Sequence, residues 1–420
     1  MNVSNNVTYS LEEEDWDEFT NNGIPITVLL IGLCVVGTVG NVHVFLVYLL
    51  RYQANIYKTF ILCLAAADFL GCTFCVPASL YIIRHPNTIQ SPTFCKINRA
   101  LTYFVGAYSL MLLDCIAVER YRKVCQATRA QFTLKMTRVI CVVVCLFVIG
   151  TVVIPVIIIY GINQKVTKVH SLVGYECTVL DHYKSSTLTK IYRGFVFFIF
   201  VLFLITSVVL YSLVGRKIYD HKNKQKKADK SRDPKRSMFN FRKSQSKSTS
   251  SEDGGNKLTL YKEDKETDDT KSTSLQDSSL QGGSNVENSC PRDSGASSGK
   301  RSQTQNQIGT GSNYLNALND RKRKKLDRSR NITLIFLVVS IMSFGGYLPY
   351  LLTTLLRNIS RSTFEHIEEN YGAVVTFIRW MVFINNAINP IVYGFMDKKF
   401  RDELSKCYIK LWRSCLCRNG

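Results

Sequence analysis

The chain has 420 residues, is 46% hydrophobic and carries 53 Lys and Arg against 32 Asp and Glu, a formal charge of +21. Length alone would suit two or three soluble domains, and the basic surplus raises nucleic acid as a partner. The distribution excludes both. Residues 216–330 hold 27 basic against 15 acidic residues in a Ser-, Lys-, Gly- and Asn-rich stretch, while the apolar residues gather elsewhere into seven blocks.

In chain order, residues 1–23 form an acidic N-terminus without Lys or Arg. That is the opposite of a signal peptide's basic opening, so the first span is expected to act as its own insertion signal. Asn2 and Asn6 sit in N-x-[ST] patterns and are expected to be glycosylated outside the cell. Asn331 and Asn358 match the same pattern, but one faces the cytosol and the other lies at the membrane. A seven-helix domain follows over 24–396. Its apolar blocks are 23–50, 59–83, 100–118, 139–162, 194–215, 331–356 and 371–396. A helix rising ~1.5 Å per residue needs about 20 residues to cross ~30 Å of hydrocarbon, which each block supplies. One such block fits the core of a soluble protein; seven in series with charged connectors do not. With the N-terminus outside, 42 of the 53 basic residues face the cytosol and 10 face outward. Omitting the long loop leaves 15 against 10, a bias in the same direction.

Within that domain, 216–330 reads as a disordered cytoplasmic loop. Its basic ends, 222–227 and 321–325, are expected to continue the fifth and sixth helices beside anionic lipid headgroups. The Ser/Thr cluster at 244–251 is either a set of phosphate acceptors or plain solvated linker. In the tail, 397–420, Cys407, Cys415 and Cys417 lie on a basic amphipathic stretch and are either S-palmitoylated or free. Of the 14 cysteines, only Cys95 and Cys177 lie outside the membrane and the cytosol, so one disulfide is expected between them.

Ionisable and amide groups inside a bilayer are costly, so each asks for a role. Asp68 in the second span is the first. Asn41, Ser109, Asn385, Asn386 and Asn389 are placed to converge on it as a polar cavity suited to a hydrated sodium ion. No other cofactor is expected. Glu119-Arg120-Tyr121 closes the third span, where the arginine can pair with its neighbouring carboxylate and be released. Asn389-Pro390-Ile391-Val392-Tyr393 closes the seventh. There and at Pro349 in the sixth, proline removes a backbone hydrogen bond and lets the helix deform.

In their order and spacing these motifs resemble the rhodopsin-like (class A) G-protein-coupled receptors over about 40–400. The residues that carry it are Gly40-Asn41, Leu64-Ala65-Ala66-Ala67-Asp68, Cys95 lying 25 residues before Arg120, and the Asn389–Tyr393 motif. The resemblance implies an all-α seven-helix bundle in the plasma membrane, with a short amphipathic eighth helix marked by Phe400. It implies an agonist in the outer half, an outward swing of the sixth helix, and a heterotrimeric G protein entering near Glu119, Arg120, Tyr121, Tyr211 and Tyr393. Arrestin and receptor kinases would be further partners, and membrane lipids surround the spans. Asn389, Pro390, Tyr393, Pro349 and Tyr347 would carry activation.

The chain departs from that pattern along the relay. Cys145 or Leu146 replaces the fourth-span tryptophan, Phe203 the fifth-span proline, and Ser343 an aromatic of the sixth span. Cys-Trp-x-Pro becomes Gly346-Tyr347-Leu348-Pro349. Ser329 stands where an acid often locks the arginine, with Asp327 two positions away. Asp114, a second acid in the third span, has no counterpart.

Ligand class narrows by exclusion. Phe383 fills the place of a retinal-binding lysine, and Thr102 that of an amine-binding aspartate. The outer third instead holds Arg99, Arg193, Arg357 and Arg379 beside Tyr103 and Tyr350. Some of these arginines are free to snorkel to headgroups. Arg379, ten residues before Asn389, favours an anionic or amidated group on the ligand, with Glu176 or the acids of 365–369 as alternative partners. The acidic N-terminus would either attract a basic ligand or shield these arginines. A neuropeptide-like agonist fits best, an acidic small molecule or lipid second. A seven-helix protein with weak or ligand-independent coupling also stays open. A transporter is a distant third, since no inverted repeat is visible. An enzyme is not expected, for want of a metal-ligand cluster or a phosphate loop.

Overall fold

A computed structural model describes residues 10–167, 171–231 and 303–416. Among the described residues, seven helices are long and apolar enough to cross a membrane. They are Leu11–Arg51, Ile56–Arg84, Pro92–Cys125, Leu134–Ile159, Thr187–Lys224, Asp327–Arg357 and Gly372–Met396, and an amphipathic helix, Lys398–Leu416, follows the last. Residues 224–323 form a separate unit whose described parts are helical. The loop expected over 216–330 is therefore helical at its ends, to Ser231 and again from Gln303. Asn2, Asn6, Cys417 and the cluster at 244–251 lie outside the described residues, as does the side chain of Cys415.

The burial pattern is that of a bundle in lipid. The apolar window of the third span is 50% buried and that of the fourth only 17%. The third and the second, at 56%, are thus the most enclosed spans, and the fourth and fifth, both at 17%, the most peripheral. Val142, Leu146, Phe198 and Val208 are exposed, an arrangement that lipid satisfies and water does not. Inside, Tyr48, Phe60, Leu64, Leu112, Ile116 and Phe336 form one core toward the cytoplasmic half.

Side-chain caps and prolines set the helix geometry. Asn55, Ser91 and Thr133 accept backbone N–H groups of Lys58, Phe94 and Met136 at the starts of the second, third and fourth spans. Three wide π turns, Phe19–Gly23, Gly71–Cys75 and Ile149–Val153, each lie just ahead of a proline: Pro25, Pro77 and Pro155. The ring lacks an N–H and crowds the preceding turn, so the helix widens there and continues.

Several boundaries differ from the sequence reading. The first span continues an N-terminal helix from Leu11, whose Ser10 and Glu13 form a capping box. The fourth span stops at Ile159 instead of 162, because Tyr160–Val166 (β1) pairs antiparallel with Val173–Val179 (β2). Ladder hydrogen bonds replace helical ones there, and the alternation of Val173, Tyr175, Cys177 and Val179 with Gly174, Glu176 and Thr178 is the sequence signal for β2. The fifth span begins at Thr187 instead of 194.

Candidate functional site

The outer end is assembled around β2. Cys95, near the start of the third span, is disulfide-bonded to Cys177, with Cα atoms 5.5 Å apart. Asn87 in the turn before that span gives its carbonyl to Tyr175 N–H at 2.7 Å. The same turn holds the N-terminal helix: the fully buried Asp15 accepts the Asn87 N–H at 2.8 Å and the Thr88 hydroxyl at 2.6 Å. Glu18 accepts the Asn87 amide at 3.3 Å, and Arg84 lies over the Trp16 ring at 4.6 Å. Asp15 and Glu18 are thus engaged with the first outer turn, while Glu12, Glu13 and Asp17 of the same acidic run are exposed.

Beneath this cover lies a cavity of about 160 Å³, lined by Arg99, Thr102, Tyr103, Tyr347, Tyr350 and Arg379 among others. One wall is aromatic, with Phe195, Phe200, Phe203 and Phe344. The Tyr103 hydroxyl meets those of Tyr350 at 2.8 Å and Tyr160 at 2.9 Å. Arg99 donates to the Cys177 carbonyl at 3.2 Å, and its Nε is buried without a hydrogen-bond partner.

Two of the expected lining arginines are elsewhere. Arg357 is exposed and stacks on Phe364 of the next short helix. Arg193 is outside the lining, to which the fifth span contributes from Phe195 inward, through Val196, Ile199, Phe200 and Phe203. Arg379 pairs with Glu368 at 3.0 Å, its side chain 42% exposed. One of the acids in 365–369 is thus the partner, and Glu176 is not. Glu176 instead pairs with Lys184 at 3.5 Å.

At mid-membrane, the fully buried Asp68 accepts the Asn389 amide at 2.5 Å and the Ser109 hydroxyl at 3.4 Å. Asn389 Oδ1 is buried without a partner. Asn41 and Asn385 do not reach the carboxylate. Asn41 donates to the carbonyls of Gly37 and Asn386, at 2.9 and 2.8 Å, and Asn385 accepts from Ser343. One carboxylate, one hydroxyl and one free amide oxygen remain, a donor set that fits a monovalent cation.

At the inner end, Arg120 is 1% exposed and its Nε stands 2.5 Å from Glu119. The contact is a close charge pair without hydrogen-bond alignment. Asp327 pairs with Arg330 at 3.6 Å, not with Arg120. The Tyr121 hydroxyl accepts from Gln126 at 3.3 Å. Tyr211 accepts the Ser340 hydroxyl at 3.3 Å, and Tyr393 is buried with its hydroxyl unpartnered. Asp397 accepts the hydroxyls of Tyr48 and Tyr57 at 2.7 and 3.0 Å and the Phe400 N–H at 3.2 Å. Phe400 stacks on Tyr48. Cys407 is a half-buried free thiol on the same helix. Neighbouring Glu403 is held below the usual carboxylate range, first by its bond to Lys406.

A bundle of seven membrane helices, pinned outside by one disulfide and closed inside over a buried arginine, defines a membrane receptor class. The family model of seven-transmembrane receptors of the rhodopsin family matches residues 40–393. The chain belongs to that family and is a multi-pass plasma-membrane protein. It is similar to a cholecystokinin receptor of Xenopus laevis, 21% identical over 99% of this chain and 86% of the relative. It is also similar to cholecystokinin receptors type A of Canis lupus familiaris and Homo sapiens, each 22% identical over 84% of this chain and 72% of the relative.

Proposed function

We propose that the protein binds an extracellular peptide and converts that binding into activation of a heterotrimeric G protein. The observation that carries this is the outer cavity. It joins an aromatic wall to the unpartnered Arg99 Nε, with Arg379, the part-exposed partner of Glu368, also in its lining. A peptide end with an anionic or amide group meets both needs, its side chain against that wall and its polar group on the guanidinium groups. The relatives are named for a peptide, cholecystokinin, and their similarity supports the same class of agonist here. The buried aromatic wall supports an acidic lipid as the second reading.

Inside, release of Arg120 from Glu119 and an outward swing of the sixth span would open the face that receives the G protein. Arrestin and receptor kinases would follow at the same face. Asp68, Ser109 and Asn389 would hold a sodium ion that favours the closed form, since its coordination requires the second, third and seventh spans together. Cys407 would carry a palmitoyl chain. The test is a peptide-library screen in cells carrying a promiscuous G-protein reporter. At least one amidated or acidic peptide should give a saturable response absent from untransfected cells. A response confined to acidic lipids would replace the peptide reading by the second.

A further inference from the structure

The buried polar groups at the middle of the bundle form a closed circuit through five spans. Asp114 of the third span accepts the Ser207 hydroxyl of the fifth. Four residues on, on the same face, Tyr211 accepts the Ser340 hydroxyl of the sixth. Three residues further, Ser343 donates to Asn385 of the seventh. Asn389, one turn below, donates to Asp68 of the second, which accepts Ser109 of the third. The circuit thus returns to its starting helix, five residues from Asp114. Every member is at least nine-tenths buried. Serines at 340 and 343 hold the sixth span to both of its neighbours, at the level where Ser343 replaces the aromatic found in similar receptors.

We propose that Asp114 is a positioning residue that closes this circuit and holds the sixth span inward in the unliganded receptor. The proposal rests on the receptor reading above and extends it to the residues that set basal activity. The chemistry favours a circuit over isolated bonds. In hydrocarbon each freed hydroxyl or amide lacks water as a substitute, so breaking one bond strands a donor and shifts its neighbours. Outward movement of the sixth span must break the Tyr211–Ser340 and Ser343–Asn385 bonds together. Asp114 sits upstream of both, because its hold on Ser207 fixes the rotation of the fifth helix and with it Tyr211. An asparagine in its place keeps an oxygen for Ser207; an alanine does not.

The experiment uses full-length receptor in nanodiscs without ligand. Melting temperatures are measured for Asp114→Ala, Ser343→Ala and the double variant, which share no direct hydrogen bond. The account expects the double variant to lose clearly less than the two single losses combined; strict additivity overturns it. The second readout is basal nucleotide exchange on a purified G protein at matched receptor amounts. Asp114→Ala should raise it by about tenfold, the population shift that one buried hydrogen bond carries. Asp114→Asn should stay within about twofold of the parent, on the same hydrogen-bond argument. Equal exchange in all three, or loss in Asp114→Ala with normal melting, also overturns the proposal. The melting cycle needs no G protein. A receptor that fails to couple therefore defeats the functional reading and leaves the circuit to be decided on melting alone.

Discussion

Arg379 and Glu368 make the first test at the scale of single residues. Their pair is part-exposed, so it contributes no more than about 0.2–1 kcal/mol to stability. Arg379→Ala should therefore leave surface expression and melting temperature nearly unchanged. If a ligand's anionic group displaces Glu368, the same variant should lower agonist potency by roughly 30-fold or more. Arg379→Lys should recover only part of it, because an ammonium cannot make a two-pronged contact. A collapse of expression would instead make the pair structural. Asp68 gives a second test. Sodium should raise the melting temperature above that in an organic cation of equal ionic strength, by ligand linkage. The rise should vanish in Asp68→Asn; a rise that persists there would remove the cation from this site. Gly40 supplies a third. A Cβ there would lie 2.6 Å from Pro390 Cβ, so Gly40→Ala must push the first and seventh spans apart. The overpacking should cost about 1–3 kcal/mol, read as a lower melting temperature.

Secondary elements bring these residues together, and two attachments matter most. The Cys95–Cys177 bridge ties β2 to the third span over a separation of 82 residues. Losing a native disulfide typically costs ~2–5 kcal/mol. Cys95→Ser and Cys177→Ser should each lower melting temperature and surface expression to the same degree, with no further loss in the double variant. Unequal or additive effects would show that each cysteine acts alone. At the other end, Asp397→Ala removes two tyrosine hydrogen bonds and the cap at Phe400. Charge-assisted bonds of this kind contribute about 1.5–3 kcal/mol each at most. Helix Lys398–Leu416 should then lose amide protection against hydrogen exchange while the spans keep theirs. Unchanged protection would mean that the helix is held by the membrane surface instead.

Across the whole molecule, what the sequence made legible follows a simple division. The spans, the disulfide and the inner motifs are carried by runs of one chemical type or by single residues of high cost in a bilayer, such as Asp68 and Arg120. Both signals survive in one dimension. The rest depends on which helix faces which. Nothing local to Asp114 points to Ser207, 93 residues away, and nothing local to Asn41 diverts it from Asp68 to the Asn386 carbonyl. Nothing local to Asp15 sets it apart from its acidic neighbours either, since its burial under Asn87 is a tertiary fact. Arg193 read as a lining residue because it is a basic residue of the outer third, and nothing local shows that the fifth span lines the cavity only from Phe195 inward. The central claim spans both membrane faces, and one measurement reaches both. Purified receptor in nanodiscs is mixed with a panel of heterotrimeric G proteins and a library of short amidated and acidic peptides, and nucleotide exchange is followed. The account predicts that at least one peptide raises exchange saturably above the basal rate, and that Arg120→Ala, still folded, abolishes the rise. Exchange that no peptide alters on any G protein, or a peptide response that survives unchanged in Arg120→Ala, would contradict it.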